Sequence, residues 1–263
     1  EEAAPTEGCI AVAAAPSEDH VTMFNIDWSF SCSQLAQRFN FARFGWINDF
    51  TAIAYALPFL EEDDRHVLYP GQTSISAKYT AVGPGTGLGG ASIEQLGDEL
   101  HVSAAEPGHM SLSPDSQFEL ELFQLLSAQH DYIYAELLVS GPGLQRLYQA
   151  ICTLNGLTPE ALEPAEISVR AIQGDDKNAR QALELFCALL GSVCGDFVLA
   201  NGAYGGLYLA GGIVPGLLPF LESSDFHQRF CHKGAMKAHM AEVPVFVITT
   251  GQPGLIGAAH APF

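Results

Sequence analysis

Tyr79-Thr80-Ala81-Val82-Gly83-Pro84-Gly85-Thr86-Gly87-Leu88-Gly89-Gly90 is the stretch that decides the fold. An apolar strand runs into five glycines within eight residues. Glycine permits positive φ and close backbone approach, so successive N–H groups can converge on a phosphate. Residues 85–90 match G-x-G-x-x-G. A dinucleotide fold would need a long apolar helix directly afterwards. Ala91-Ser92-Ile93-Glu94-Gln95-Leu96-Gly97 is too short and glycine-stopped for that, and reads as a returning strand. The element is therefore a glycine hairpin, with or without a ligand.

Working outward, strands and helices alternate on both sides. Cys9-Ile10-Ala11-Val12-Ala13-Ala14 and His20-Val21-Thr22-Met23-Phe24 read as strands around a turn at Pro16-Ser17-Glu18-Asp19. Ser31 to Phe39 reads as a short helix, and Phe44-Gly45-Trp46-Ile47 as a buried strand ending at Asn48-Asp49. Thr51 to Leu60 reads as a helix, and 61–77 as a polar linker or domain seam. Further helices are expected over Ser116 to Gln129, with Ser116 and Glu119 as a capping box, over Ser140 to Leu154, and over Asp176 to Asn201. Gly206 to Ala210 and Val245 to Ile248 are buried strands. This mixture predicts α/β layers.

Composition narrows the function. The chain has 263 residues, 48% hydrophobic and 16% charged, enough for a sizeable core. Lys plus Arg number 11 against 30 Asp plus Glu, a net charge of −19. That charge repels phosphate backbones and anionic lipid, so neither a nucleic-acid nor a membrane partner is expected. No apolar run reads as a membrane span, and Glu1-Glu2-Ala3-Ala4-Pro5 lacks the basic start of a signal peptide. Without an initiator Met, the chain is processed or a piece of something longer. The six cysteines show no C-x-x-C and no zinc-finger spacing, so reduced thiols in a cytoplasmic protein are expected.

Four places carry candidate chemistry. Asn48-Asp49 at a strand end offers a general base, or else an Asx turn or helix N-cap. Glu106-Pro107-Gly108-His109 puts a carboxylate and an imidazole across a turn, where both could reach hydroxyl groups, or is a solvated turn. Glu136 precedes the turn Gly141-Pro142-Gly143 and could equally be a surface charge. Leu209-Ala210-Gly211-Gly212-Ile213-Val214-Pro215 ends a strand in two glycines, where a flat ligand such as an adenine ring could approach. His227, His232 and His239 match no metal spacing and read as a solvated basic loop.

In order and spacing these signals resemble bacterial glucokinases of the hexokinase–actin-like ATPase superfamily. The resemblance runs through Gly8-Cys9-Ile10-Ala11-Val12, Trp46-Ile47-Asn48-Asp49-Phe50-Thr51-Ala52, Gly85-Thr86-Gly87-Leu88-Gly89, Ser140-Gly141-Pro142-Gly143-Leu144, Ala210-Gly211-Gly212-Ile213-Val214-Pro215 and Pro253-Gly254-Leu255. It implies a two-domain α/β fold with an interdomain cleft. Residues 1–60 plus 251–263 would form the smaller domain and 61–250 the larger. It implies Asp49 as the base that takes the proton of the sugar 6-hydroxyl. Asn48, Asp49, Glu106, His109 and Glu136 would hold the sugar. Gly85, Thr86, Gly87 and Gly89 would form the second phosphate segment, and Gly211 and Gly212 the adenosine segment. The substrates would be glucose and ATP with Mg²⁺, in a cytoplasmic homodimer serving glycolysis, with no protein-held metal.

Two departures stand out. The family's glucose turn is usually Glu-Gly-Gly-His, whereas Pro107 here removes one N–H and fixes φ. The family's first phosphate segment, Asp-x-Gly-Gly-Thr-Asn, has no counterpart, and Glu1 aligns after it. The first N-terminal strands of the fold are thus expected to be missing, leaving an open sheet edge. One phosphate loop of two would not fix the γ-phosphoryl group, so the chain as it stands is expected to turn over ATP poorly. The alternatives are a sugar-binding or regulatory pseudokinase, or a broader hexose kinase of the repressor–kinase group. That group typically carries C-x-C-G-x-x-G-C, which is absent here.

Overall fold

The computed structural model describes residues 5–14, 19–23, 26–72 and 76–262. Phe24 and the turn residues Pro16, Ser17 and Glu18 lie outside them. The first layer contains β1 (Glu7–Val12), β2 (His20–Thr22), β3 (Ser29–Ser31), α1 (Cys32–Phe39) and β4 (Arg43–Asn48). β1 and β4 pair in parallel, with Val12 opposite Asn48. Ser31 starts α1 because its Oγ accepts from the Gln34 amide at 3.2 Å. Asn40 ends the helix in the left-handed region that Asn tolerates, at φ 57°.

The chain then forms α2 (Asp49–Ala56), a single 3₁₀ turn over Leu57–Phe59, and β5 (Arg65–Tyr69). Next come β6 (Lys78–Pro84), β7 (Leu88–Leu96) and β8 (Glu99–Ala105). A helical run follows: α3 (Gln117–Ser127), α4 (Ala135–Leu138), α5 (Gly141–Leu154), α6 (Pro164–Gln173) and α7 (Lys177–Asn201). The chain closes with β9 (Gly206–Leu209), α8 (Leu218–Ser223), α9 (Phe226–Cys231), α10 (Lys237–Met240), β10 (Val245–Ile248) and α11 (Pro253–His260).

Six strands form one mixed sheet in the order β5-β10-β9-β6-β7-β8. β10, β9 and β6 run parallel, and the outer strands join antiparallel. Side chains alternate across this sheet with the period of two that a strand imposes. Val82, Leu207, Leu209, Val245 and Val247 enter the large cluster built by α3 to α9. Ala81, Ile93, Tyr208, Phe246 and Ile248 enter a second cluster. Tyr55 and Leu57 join it from α2 and the following turn, with Ile256 of α11 packed alongside. α2, which the expected boundaries assign to the smaller domain, thus packs against the six-stranded sheet, and α11 packs on α2. They touch closely, since a Cβ on Gly257 would run into the Ala52 carbonyl.

Several expectations need correcting. The stretch 61–77 contains β5, an edge strand whose His66 and Val67 are exposed, which hid its periodicity. α2 begins at Asp49, not Thr51. The Ser116 box is half formed: Ser116 Oγ accepts from the Glu119 amide, but the Glu119 carboxylate is buried against Arg229. His227 and His239 lie on α9 and α10, not in a loop. His227 stacks on Tyr69 at 4.2 Å, and burial holds its pKa below the ordinary imidazole value. Among the described residues no group of three potential metal ligands gathers, there or elsewhere. α7 is long and apolar enough to cross a membrane, but most of it is buried inside the fold as a core helix. Its Cys187 and Cys194 are both free thiols, and their seven-residue spacing along one helix is too wide for a bond between them.

Candidate active site

The C-terminal ends of β1, β4, β6 and β9 open onto one cleft of about 800 Å³. Ligands of open α/β sheets bind at such ends, because helices start there and leave amides unpaired. Ala13, Ala14, Asn48 and Asp49 come from the first layer, Gly83 to Gly90 from the hairpin, and Gly211 from the end of β9. Phe50, Ile53, Ala105, Glu106, His109 and Glu136 complete the lining.

Asn48 is the N-cap of α2. Its Oδ1 accepts from the Phe50 amide at 2.9 Å and from the Thr51 amide at 3.2 Å. The capping role uses the carbonyl oxygen, while the side-chain NH₂ remains a donor for a ligand hydroxyl. Cap and ligand contact are therefore compatible readings of one residue. Asp49 is the first helical residue, half-buried, and its Oδ1 accepts from the Phe50 amide at 3.0 Å. A carboxylate in a first helical turn also complements the helix dipole.

Opposite it, β6 and β7 pair from Lys78↔Glu94 to Pro84↔Leu88, and Gly85-Thr86-Gly87 form the bend, with Thr86 exposed at its tip. The Gly85 amide donates to the Gly87 carbonyl at 2.8 Å. The Gly85 carbonyl in turn accepts from the Gly141 amide at the start of α5, also at 2.8 Å. Gly85 faces open space, as a backbone that meets a ligand must. Gly87 and Gly89 are glycines for other reasons. A Cβ on Gly87 would lie 2.5 Å from Glu136 Oε2, and one on Gly89 would enter the Phe50 ring.

Pro107 opens a 3₁₀ turn over Pro107–His109, a first position whose N–H would be orphaned in any case. Its ring packs on Gly90, where a Cβ would come within 2.7 Å. Pro107 is thus accommodated locally within this turn. The His109 ring meets Tyr134 edge-on at 5.8 Å, and the Ala135 amide donates to the Met110 carbonyl at 2.9 Å. These contacts tie the turn to α4, which carries Glu136. Glu136 Oε2 accepts from the Leu88 amide at 2.8 Å, and its backbone carbonyl accepts from Ser140 Oγ at 2.8 Å.

Gly211 has φ +89°, and a Cβ there would lie 2.7 Å from the Pro84 carbonyl, so only glycine fits easily. Gly212 is exposed, has open space around it and does not line the cleft. All the other expected site residues are brought together. Phe50, Ile53 and the Ala13-Ala14 pair were not singled out from sequence as site residues. Their only signal was position beside Asn48-Asp49 or at a strand end.

Among the described residues the lining holds three carboxylates, one imidazole and no Lys or Arg. A triphosphate would have to be held by backbone amides and by a cation arriving with it. That fits Mg²⁺, which is normally bound through phosphates and one or two carboxylates rather than an all-protein cage.

A family model described as Glucokinase matches residues 1–262. A glucokinase of Aromatoleum aromaticum is 41% identical over 98% of this chain and 78% of its own length. One of Saccharophagus degradans is 37% identical over 97% and 79%. The crystal structure of a glucokinase from an Antarctic psychrotroph superposes with a TM-score of 0.88 at 38% identity, covering 96% of this chain and 78% of that one. A ROK family glucokinase from Streptomyces griseus, solved with glucose and AMPPNP, shares the fold at TM-score 0.59 and 20% identity, over 89% of this chain and 73% of that one. With the cleft, the capped Asp49 helix and the glycine hairpin in place, the chain belongs to the glucokinase family.

Proposed function

We propose that the protein transfers the γ-phosphoryl group of ATP to the 6-hydroxyl of glucose. The observation that carries this reading is Asp49, at the start of α2, sharing one cleft with the glycine hairpin, in a chain of the glucokinase family. Asp49 takes the 6-hydroxyl proton as that oxygen attacks the γ-phosphorus. The bond from the γ-phosphorus to the bridging oxygen breaks, and ADP leaves. A positioned base of this kind contributes roughly 10²–10⁴-fold.

Asn48 donates to a sugar hydroxyl, Glu106 and Glu136 accept from others, and His109 does either according to its tautomer. Gly85, Thr86, Gly87 and Gly89 bound the triphosphate, and Gly211 the adenosine. Mg²⁺ arriving with ATP would supply charge neutralisation that no side-chain cation among the described lining residues offers. The family resemblance supports a homodimer serving glycolysis, and the six free thiols agree with a cytoplasmic setting.

The test is incubation of the full-length gene product with ATP, Mg²⁺ and glucose, with the product identified by ³¹P NMR. Glucose 6-phosphate and ADP are expected in equal amounts. A site that pairs several hydroxyls should also bind 2-deoxyglucose or 3-deoxyglucose much more weakly than glucose, because a protein partner is left unpaired. Absence of product, or equal affinity for glucose and both analogues, contradicts the reading.

A further inference from the structure

Phe50 follows Asp49 in the first turn of α2, and its ring fills a seat made without side chains. Gly83 of β6 and Gly89 of β7 are direct cross-strand partners. A Cβ on Gly83 would lie 2.8 Å from Phe50 Cζ, and one on Gly89 would enter the ring at Cδ2 and Cε2. The same Gly83 Cβ would lie 2.8 Å from the Ala210 carbonyl oxygen, so the seat also abuts the end of β9. Two of the glycines in the hairpin thus make room for an aromatic ring. The contact also links the two sides of the cleft. At one end, the Phe50 amide donates to Asn48 Oδ1 at 2.9 Å and to Asp49 Oδ1 at 3.0 Å. At the other end, the ring touches the strands that carry Gly85 to Gly87.

We propose that Phe50 is a positioning residue: by seating its ring on the Gly83–Gly89 pair, it sets where the Asp49 carboxylate stands relative to the Gly85–Gly87 bend. This rests on the phosphoryl-transfer reading above. The seat ties the ring to this register, because shifting β6 by one residue would put Val82 or Pro84 at the Gly83 position, and shifting β7 the one way would put Leu88 at the Gly89 position. A misplacement of about 1 Å in such a site costs about 10²-fold in rate. The ring carries no group that could take a proton or hold a phosphate.

The experiment compares the full-length parent with F50L, F50M, G89A and F50L/G89A. In F50L, kcat at saturating glucose and ATP is expected to fall at least tenfold. The glucose Kd should move less than threefold, since the α2 cap is retained. A purely structural role would lower thermal stability without this split. G89A alone should also lose at least tenfold in kcat, and F50L/G89A should recover part of it, because the smaller side chain vacates the space the new methyl needs. A kcat of F50L within threefold of the parent, or strictly additive losses in the double variant, overturns the proposal. If F50L fails to fold, F50M, closer to Phe in length, is held to the same criteria.

Amide hydrogen exchange separates this proposal from the activity itself. In F50L, or in F50M if F50L does not fold, the Gly87 and Leu88 amides should exchange at least tenfold faster, while those of α5 and α7 are unchanged. If the parent itself forms no glucose 6-phosphate, the functional reading fails. Phe50 is then judged by exchange alone, and unchanged protection at Gly87 and Leu88 refutes it.

Discussion

Glu136 Oε2 accepts a hydrogen bond of 2.8 Å from the Leu88 amide, so a carboxylate on α4 holds the start of β7. Gly87 and Gly108 both lack the Cβ that would crowd it. One carboxylate therefore stands between the turn that carries His109 and the bend that carries Thr86. Its second oxygen remains to accept from a ligand.

That arrangement separates two variants. Glu136→Gln keeps a carbonyl oxygen for the Leu88 amide but presents NH₂ to the sugar in place of a carboxylate oxygen. Its KM for glucose should rise at least tenfold, with the KM for ATP within threefold of the parent. Glu136→Ala loses both contacts and should raise both constants. Steady-state kinetics of the two variants check this, and equal effects on the two substrates in the Gln variant contradict it.

Stability has its own pressure point at Arg229 of α9, buried against α3 and α7. Its guanidinium donates to both oxygens of the buried Glu119, at 2.6 and 3.2 Å, and to Ser192 Oγ at 3.0 Å. Arg229→Ala would leave Glu119 as an uncompensated buried charge, a change that costs about 3–5 kcal/mol. Replacing both residues, as Arg229→Met with Glu119→Leu, should recover most of the loss. Urea unfolding of the single and double variants measures the difference, and a double variant no more stable than the single one would refute the account.

Burial pushes the Cys187 thiol up to about 12, and Cys194 and Cys152 are raised for the same reason. In the unfolded chain a thiol titrates near about 8.5. Below that pH both states hold the proton and the full stability is present. Between about 8.5 and 12 the unfolded state loses the proton first, so stability falls as pH rises. Urea midpoints should be flat from pH 7 to 8 and decline above pH 9, and Cys187→Ala should flatten the decline. At pH 8 the native protein should react with a thiol reagent at Cys9 far faster than at the five buried cysteines. Rapid native labelling of Cys187 would contradict this.

Much of this fold was legible because its periodic parts are long. Asp176 to Asn201 needed 25 helical residues, and Asp176 indeed caps α7 through bonds of 2.8 and 3.0 Å to Asn178 and Ala179. The returning strand after the glycines was legible from its length and its glycine stop, and β7 occupies it. β5 and β8 were missed because both are outer strands with exposed polar positions, where alternation fades. α6 escaped because Pro164 at its first position reads as a breaker unless the capping box of Glu163 and Glu166 is noticed. Within the site, motif glycines were legible as glycines but not for their cause. Sequence cannot show that the neighbour at Gly89 is the Phe50 ring, 39 positions away in the chain.

The central claim is that Asp49 carries the proton in glucose phosphorylation, and its most direct measurement is the rate of glucose 6-phosphate formation by Asp49→Ala beside the full-length parent. Both proteins should have the same melting temperature within a few degrees, because the α2 cap resides in Asn48. A kcat lower by about 10² or more in the variant is the predicted result, the range expected for a lost general base. A variant that forms glucose 6-phosphate within threefold of the parent rate would contradict the account.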